Sequence, residues 1–166
     1  MADPLEEIYN LYKNKIYNYL YRSTLNHHLA EELTQETFLK AFKSIQSFKE
    51  QASLNTWLFK IARNTFLDEA KKKQNELEVK FDHQETAVVD QTDQYSTLNE
   101  KLIIRKILLQ LSEKDRTLII LRDQYNFTYQ EISNILDCNE GQVKIGLFRA
   151  RKKFKQLYER ESEVEK

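Results

Sequence analysis

The final third of the sequence contains a run of cations that could bind a polyanion. Six lysines and arginines stand between Lys144 and Lys155, with no acidic residue among them. Such a run is typical either of the solvated face of a helix or of a surface that binds the phosphates of a nucleic acid. The charge run alone does not decide between these two interpretations.

The spacing of these cations favours the nucleic-acid interpretation. Helical geometry places an apolar stripe that begins at Val143 on one face, with Arg149 and Lys152 on the opposite face. That opposite face suits the DNA backbone, because each neutralised phosphate releases counterions. Base reading needs side chains near the start of such a helix. The candidates for contact with duplex DNA are Asn139, Glu140, Gln142, Lys144, Arg149, Lys152 and Lys153.

The elements around this run follow the order of a helix-turn-helix unit. Thr128 and Glu131 have the spacing of a capping box, which predicts the start of a short helix. A polar turn follows at 137–139, and a long helix is predicted to begin near Glu140. A short helix, a tight turn and a longer basic helix are typical of DNA-binding helix-turn-helix units.

The composition predicts an almost purely helical protein. Only two glycines and one proline are present, so the chain is poor in the residues that β-turns and phosphate-binding loops require. Charged residues make up 31% and apolar residues 40%, a balance that suits helices with one buried face. No apolar stretch approaches the roughly 20 residues of a membrane span, and no secretion signal is evident, so we expect a cytoplasmic protein.

Periodicity and charge divide the chain into two small helical domains and a linker. Residues 1–75 contain three segments with apolar residues at steps of three and four, which predicts three helices. Residues 76–100 lose this periodicity and carry one basic and seven acidic residues, which predicts a flexible acidic linker. Residues 101–166 are helical again. A flexible chain of this linker's length spans roughly 28 Å, so we expect the two domains to be independent and able to sit well apart.

The residue types that most often carry catalysis are scattered in this sequence. His27 and His28 are adjacent and would point about 100° apart on a helix, and His83 falls in the linker. Glu32 and Glu36 are helix neighbours, but the sequence lacks the Glu-x-x-His pairs of a di-iron bundle. We therefore expect no catalytic residue, no metal site and no cofactor.

Each of the two predicted domains contains its own group of motifs. The first domain contains LAEELTQETF at 29–38, followed by Phe48, Trp57-Leu58, IARN at 61–64 and Asp68. The second contains LSEKDR at 111–116, TYQEI at 128–132 and VKIGLFRAR at 143–151. Together these motifs resemble domains two and four of bacterial RNA polymerase sigma factors of the extracytoplasmic-function (ECF) group, in the sigma-70 family.

The resemblance implies a protein that binds core RNA polymerase and directs it to promoter DNA. Residues 1–75 would bind the polymerase and would read and melt the minus-ten element. Residues 101–166 would read the minus-thirty-five element as duplex. The resemblance also implies control by a membrane-anchored anti-sigma factor, and a role in stress-response transcription.

The same resemblance assigns contact residues in the first domain. The helix over 28–48 corresponds to the segment that binds the polymerase clamp, with Glu32, Gln35, Glu36 and Lys40 as contact face and Phe38 as an apolar anchor. Phe38 can equally be a core residue. The loop over 47–55 corresponds to a pocket for a flipped-out promoter base, with the candidates Gln51, Ser53, Leu54 and Asn55. On the following helix, Lys60, Arg63 and Asn64 would contact single-stranded DNA.

One departure from the family falls on the basic helix. The family commonly has a Ser-Arg pair where this sequence has Ile145 and Gly146. A glycine inside an exposed helix costs about 1 kcal/mol relative to alanine, and it removes a possible phosphate contact. Specificity for the upstream element therefore cannot be copied from relatives.

Two other interpretations remain open at this stage. A helix-turn-helix regulator would bind duplex DNA by itself, with the first domain as a sensing or dimerising module. The motifs over 29–68 argue against this interpretation. A helical adaptor or anti-sigma-like protein is the second alternative, and it leaves the basic helix unexplained.

Overall fold

The computed structural model describes residues 2–76 and 97–164. Within these two segments the chain forms helices and no strand, which confirms the predicted all-α fold. The helices are α1 (Pro4–Thr24), α2 (His27–Ser44), α3 (Leu54–Glu76), α4 (Leu98–Gln110), α5 (Glu113–Ile119), α6 (Tyr129–Leu136) and α7 (Glu140–Val164). No helix in the described segments is long and apolar enough to cross a membrane.

Capping side chains fix the starts of the first three helices. The Asp3 carboxylate accepts a backbone N–H at 3.0 Å at the start of α1, and the Asn26 side chain accepts one at 2.7 Å at the start of α2. The Ser53 hydroxyl accepts the backbone N–H of Thr56 at 3.1 Å and so caps α3. The three helices predicted for the first half are confirmed.

The second half contains the predicted helix-turn-helix unit. Thr128 and Glu131 exchange both hydrogen bonds of a capping box, at 3.1 and 2.8 Å, at the start of α6. Asp137 adopts the left-handed conformation, with φ of 51°, and ends α6. Helix α7 begins at Glu140 and places Val143 and its apolar stripe toward the core, as predicted.

Helix α4 begins inside the segment predicted to be the linker. Thr97 and Glu100 form a second capping box, with hydrogen bonds of 3.3 and 3.2 Å, and Leu98 is the first helical residue. This Thr-x-x-Glu signal is the same as the one before α6. The remainder of the predicted linker, residues 77–96, lies outside the described residues.

The two halves pack against each other around a shared core. Phe59 of α3 is fully buried, and its ring centroid lies 5.1 Å from that of Tyr125 and 5.0 Å from that of Phe127. Arg116 of α5 donates a hydrogen bond to the backbone carbonyl of Ser23 in α1. The expectation that the halves are independent is therefore wrong. Packing of these aromatic rings removes apolar surface from water that separated halves would expose.

Candidate nucleic-acid interface

Helix α7 presents an exposed cationic face. The predicted contact residues Lys144, Arg149, Lys152 and Lys153 are all exposed. No carboxylate of the described residues lies within ion-pair distance of any of the four. Their neighbour Arg151 differs, because its guanidinium forms two hydrogen bonds with the Asp123 carboxylate. This contact raises the pKa of Arg151 above its usual range. The cations predicted to bind DNA thus form a surface that the fold leaves open.

The polar side chains at the start of α7 are partly committed to the helix itself. The Asn139 Oδ1 accepts the backbone N–H of Gln142 at 2.8 Å, and the Gln142 Oε1 accepts that of Asn139 at 3.0 Å. This reciprocal cap occupies the carbonyl oxygens of both amides, although both had been predicted to contact bases. Each oxygen keeps one free lone pair, but the cap turns it toward the backbone, and the NH₂ groups remain free to donate to a base edge. Glu140 is exposed beside them.

Two apolar side chains share the exposed face of α7. Ile145 is 55% exposed and Phe148 is 71% exposed. They line a groove together with Tyr129, Lys144 and Lys152. Ile145 stands near the helix start, where side chains can read bases, but the predicted contacts with duplex DNA were all polar or charged and included neither apolar residue.

Gly146 lies at a helix crossing and is not an exposed position. It is half-buried, and a Cβ built on it would lie 2.9 Å from the Cδ1 of Leu118 in α5. The interpretation of Gly146 as a weak point of an exposed helix is corrected accordingly. The glycine allows α7 to approach α5 more closely than any larger residue would.

The predicted base pocket lies at the start of α3. Trp57 packs against Phe48 with ring centroids 5.1 Å apart, which fixes the loop to the helix. Gln51 is exposed and Leu54 is half-buried. The Ser53 hydroxyl is occupied by Thr56, both as acceptor of its N–H and as donor to its hydroxyl at 2.9 Å.

Asn55 differs from its neighbours in the predicted pocket because its side chain has an unused acceptor. The Asn55 Oδ1 is buried and has no hydrogen-bond partner among the described residues. A buried amide oxygen without a donor costs free energy, so such atoms are uncommon in folded proteins. The exposed Gln51 also has an amide oxygen, so Asn55 differs from it in holding a buried acceptor, which an incoming base must first uncover.

The cations predicted to contact single-stranded DNA face the second half of the chain. Lys60 donates a hydrogen bond to the Asp137 carboxylate at 2.8 Å, across the α3–α6 contact. Arg63 donates to the Glu113 carboxylate at 3.4 Å, and its side chain is largely buried. Asn64, one position further along α3, is exposed.

A buried tyrosine lies close to this charged contact. Tyr19 is fully buried in α1. Burial raises the pKa of the Tyr19 hydroxyl well above its usual range, and the nearby Glu113 carboxylate raises it further. Burial also lowers the pKa of Arg116, whose guanidinium donates to the Leu108 carbonyl at 2.8 Å. The contact between the halves is thus built on desolvated polar groups as well as aromatic rings.

The predicted polymerase face of α2 is mostly exposed, with one exception. Glu32 and Gln35 are exposed, and the half-buried Glu36 and Lys40 form an ion pair at 3.0 Å. Phe38 is only 2% exposed, so of its two interpretations the structure supports the core residue and not the surface anchor.

The residue after Phe38 is the exposed one. The Phe38 ring packs edge-on against Tyr9, with centroids 5.0 Å apart, and belongs to the core. Leu39 is 60% exposed and is the apolar residue that α2 offers to solvent. Sequence periodicity could have found it, because Leu39 lies off the buried stripe of Leu33, Thr37 and Ala41.

Comparisons with known proteins agree with the motifs in both halves. The family model for sigma-70 region 2 matches residues 8–76, and the model for sigma-70 region 4 matches residues 101–154. The RNA polymerase sigma factor YlaC of Bacillus subtilis (strain 168) is 33% identical, over 99% of this chain and 97% of YlaC. The ECF RNA polymerase sigma factor SigM of the same organism is also 33% identical, over 94% of this chain and 96% of SigM.

Solved structures with a similar fold include two that were determined as complexes. The sigma factor RpoE from Bartonella quintana, in complex with the anti-sigma factor NepR, superimposes with a TM-score of 0.80. It is 27% identical, and the match covers 95% of this chain and 98% of RpoE. CnrH, solved with the cytosolic domain of CnrY, has a TM-score of 0.67 at 16% identity, with 93% and 87% coverage, and shows similarity of fold.

Proposed function

The chain belongs to the ECF group of sigma-70 family RNA polymerase sigma factors, and we propose that its two halves divide promoter recognition between them. As a sigma factor it binds core RNA polymerase and promoter DNA, and it is an initiation factor, not an enzyme in itself. In the proposal, residues 1–75 bind polymerase through α2 and act on the minus-ten element. Residues 101–166 bind the duplex minus-thirty-five element.

The open cationic face of α7 is the observation that carries this assignment. A helix-turn-helix unit inserts its second helix into the major groove and contacts phosphates from its flanks. Lys144, Arg149, Lys152 and Lys153 are exposed and unpaired within the described residues, so they bind phosphate without first breaking an ion pair. The surface is available for duplex DNA in the arrangement that the structure shows.

On α3, the cations proposed to contact the minus-ten element are already paired with carboxylates of the protein. Lys60 and Arg63 must exchange the carboxylates of Asp137 and Glu113 for DNA phosphates before they can serve as contacts. The Asn55 Oδ1 is buried and has no partner among the described residues, and in the proposal it accepts a hydrogen bond from an amino or imino group of a flipped-out base once the loop uncovers it. Action on the minus-ten element therefore includes separation of α3 from the second half.

An anti-sigma factor is the proposed regulator of this protein. The support is the similarity to RpoE of Bartonella quintana, which was solved with its anti-sigma factor NepR. A protein that stabilises the packed arrangement of the halves keeps Lys60 and Arg63 paired and so blocks promoter opening. We also propose that this regulator is anchored in the membrane and that the sigma factor acts in the cytoplasm. Its promoters, in this proposal, belong to stress-response genes.

The test is open-complex formation on a pool of duplexes with a randomised promoter-length segment. Core polymerase with the protein should enrich duplexes that share two separated elements, and core polymerase alone should not. Enrichment of one duplex element by the protein without polymerase would favour a self-sufficient helix-turn-helix regulator instead.

Charge variants of α7 test the upstream contact on an enriched duplex. The double variant Arg149→Ala with Lys152→Ala should reduce the slope of log affinity against log salt by about 1.8, because each phosphate contact contributes about 0.9. The matched control is Lys106→Ala with Lys114→Ala, which removes two exposed cations of the same half from α4 and α5. An equal slope in both double variants contradicts the assignment of α7 to the major groove.

A further inference from the structure

The recognition helix carries an apolar pair where a DNA-binding surface is otherwise charged. Ile145 and Phe148 stand three residues apart on α7 and are 55% and 71% exposed. Side chains at this spacing are neighbours on one helix face. Both line the same groove beside Tyr129. A large exposed aromatic side chain next to a second exposed apolar one marks a surface that contacts something apolar.

The surroundings of the pair restrict what that apolar partner can be. Lys144 precedes Ile145, Arg149 follows Phe148, and Lys152 lies one turn further along the helix. The cations are exposed, and none is paired with a carboxylate of the described residues. A polyanion that exposes small apolar groups fits this arrangement. In the major groove of DNA, the 5-methyl group of thymine is the apolar group that a side chain can contact.

The position of the pair along α7 is rigidly set. Gly146 lies between the two residues at the point where α7 crosses α5, and a Cβ there would come within 2.9 Å of the Leu118 side chain. Val143 and Leu147 on the opposite face are buried. The helix therefore cannot rotate to hide Ile145 and Phe148, which stay on the outer face together.

The two amides at the start of α7 are engaged in capping the helix, so other side chains must contribute to base recognition. The carbonyl oxygens of Asn139 and Gln142 are engaged in the reciprocal cap. Bidentate reading of adenine by an amide needs its oxygen as well as its nitrogen. While the cap holds, the oxygen of each amide is turned toward the backbone N–H that it accepts, and this orientation disfavours the bidentate contact.

We infer that Phe148 and Ile145 read thymines in the minus-thirty-five element by contact with their 5-methyl groups. This inference rests on the proposed function of α7 and names the base that its apolar residues select. Phe148, the more exposed of the two, provides the larger contact area. Ile145 broadens the contact toward the start of the helix.

The experiment replaces thymine by deoxyuridine, which removes the methyl group and keeps every base-pairing group. The probe is an upstream element enriched by the holoenzyme from the randomised pool, with each thymine replaced in turn. At one or two positions the replacement should weaken binding by the full-length protein with core polymerase about fourfold, the equivalent of one buried methylene group. Replacement outside the element should have no effect.

Variants connect the lost methyl group to a side chain. With Phe148→Ala, the affinity for the thymine duplex should fall, and deoxyuridine at the sensitive position should cause no further loss. With Lys152→Ala, all duplexes should bind more weakly, but the fourfold deoxyuridine penalty should persist. Phe148 is an exposed side chain, so the variant should unfold at the temperature of the parent protein.

Several outcomes overturn the inference. An enriched upstream element without thymine, or equal deoxyuridine penalties in the parent and Phe148→Ala proteins, shows that the pair does not read methyl groups. Loss of core-polymerase association in Phe148→Ala, with the deoxyuridine penalty unchanged, shows that the pair is a protein-binding surface. In each case an upstream element is still enriched, so the proposed function stands. If the holoenzyme enriches no upstream element, the proposed function fails as well.

Discussion

The cations on α3 and the cations on α7 differ in whether carboxylates of the protein already bind them. On α3, Lys60 and Arg63 are paired with the carboxylates of Asp137 and Glu113 from the other half. On α7, Arg149 and the neighbouring lysines are unpaired within the described residues. Binding of DNA to α3 therefore competes with contacts inside the protein, whereas binding to α7 does not.

This difference suggests an order of events in promoter binding. In the proposed function, the open face of α7 engages duplex DNA while the halves remain packed, and melting follows when Asp137 and Glu113 release the cations of α3. Under this proposal, the acidic residues of the helix-turn-helix half occupy positions that DNA phosphates take later.

The largest expected effect concerns the base pocket at the start of α3. Asn55→Ala should lower the rate of open-complex formation on linear promoters by tenfold or more, because it removes the acceptor that compensates for an unstacked base. Binding of duplex DNA through α7 should be unchanged. Kinetics of promoter opening with core polymerase, followed by permanganate reactivity of thymines, measure the effect.

A matched variant distinguishes base capture from helix capping in that pocket. Ser53→Ala removes the cap of α3 and should cost about 1 kcal/mol of stability, since the hydroxyl is engaged by Thr56. Its opening rate should be close to that of the parent at temperatures where the protein is folded. If Ser53→Ala slows opening as much as Asn55→Ala does, the loop conformation is responsible and not the Asn55 acceptor.

A smaller effect is expected from the carboxylates that cover α3. The double variant Glu113→Gln with Asp137→Asn keeps the shape of both side chains, and asparagine tolerates the left-handed conformation of position 137. Single-stranded minus-ten DNA should bind the free protein at least a few-fold more tightly. The exposed Lys60–Asp137 pair contributes about 0–1 kcal/mol, and loss of the carboxylate leaves the largely buried Arg63 without its partner. Fluorescence anisotropy of a labelled oligonucleotide measures this change.

Binding of duplex DNA through α7 provides the control for that prediction. The same double variant should bind the duplex upstream element with the affinity of the parent, since the two carboxylates pair with Lys60 and Arg63 and not with Arg149 or the lysines of α7. Equal tightening of both DNA species would indicate a general effect of net charge. No tightening of the single strand would show that the ion pairs do not compete with DNA.

The smallest effect concerns the glycine that positions α7. A gain of about 1 kcal/mol from helix propensity favours Gly146→Ala, but overpacking against Leu118 costs about 1–3 kcal/mol. We expect a net loss of about 1 kcal/mol, measured by chemical denaturation. Gly146→Ala combined with Leu118→Val should recover part of the loss. A stabilised single variant would show that α7 can move away from α5 without cost.

Elements with local signals could be predicted from the sequence. Capping pairs such as Thr128 and Glu131 fix helix starts within a few residues, and apolar spacing identifies the buried stripe that begins at Val143. The exposure of Arg149 and Lys152 followed from the same spacing. The all-α fold and the helix-turn-helix unit depend on these short-range patterns, which explains why both predictions agree with the structure.

The contacts between the halves could not be predicted in this way. Phe59, Tyr125 and Phe127 are ordinary apolar residues in their own segments, and nothing local indicates that they meet. In the sequence, Glu113 and Asp137 likewise look like ordinary acidic residues at helix ends. Only the packed structure shows that they pair with cations of the other half. The choice between anchor and core for Phe38 stayed open for a related reason, since a family motif gives the identity of a residue but not the direction of its side chain.

The distance between the two halves tests the central claim most directly. Spin labels on exposed Asn64 of α3 and Asn134 of α6, in a Cys138→Ser background, report whether α3 is covered. Double electron–electron resonance should give one short distance with a narrow distribution in the free protein. This distance should stay unchanged when the upstream duplex is added. Core polymerase with a complete promoter should replace it by a longer distance. A long or broad distribution in the free protein, or a short distance in the open complex, would contradict the account.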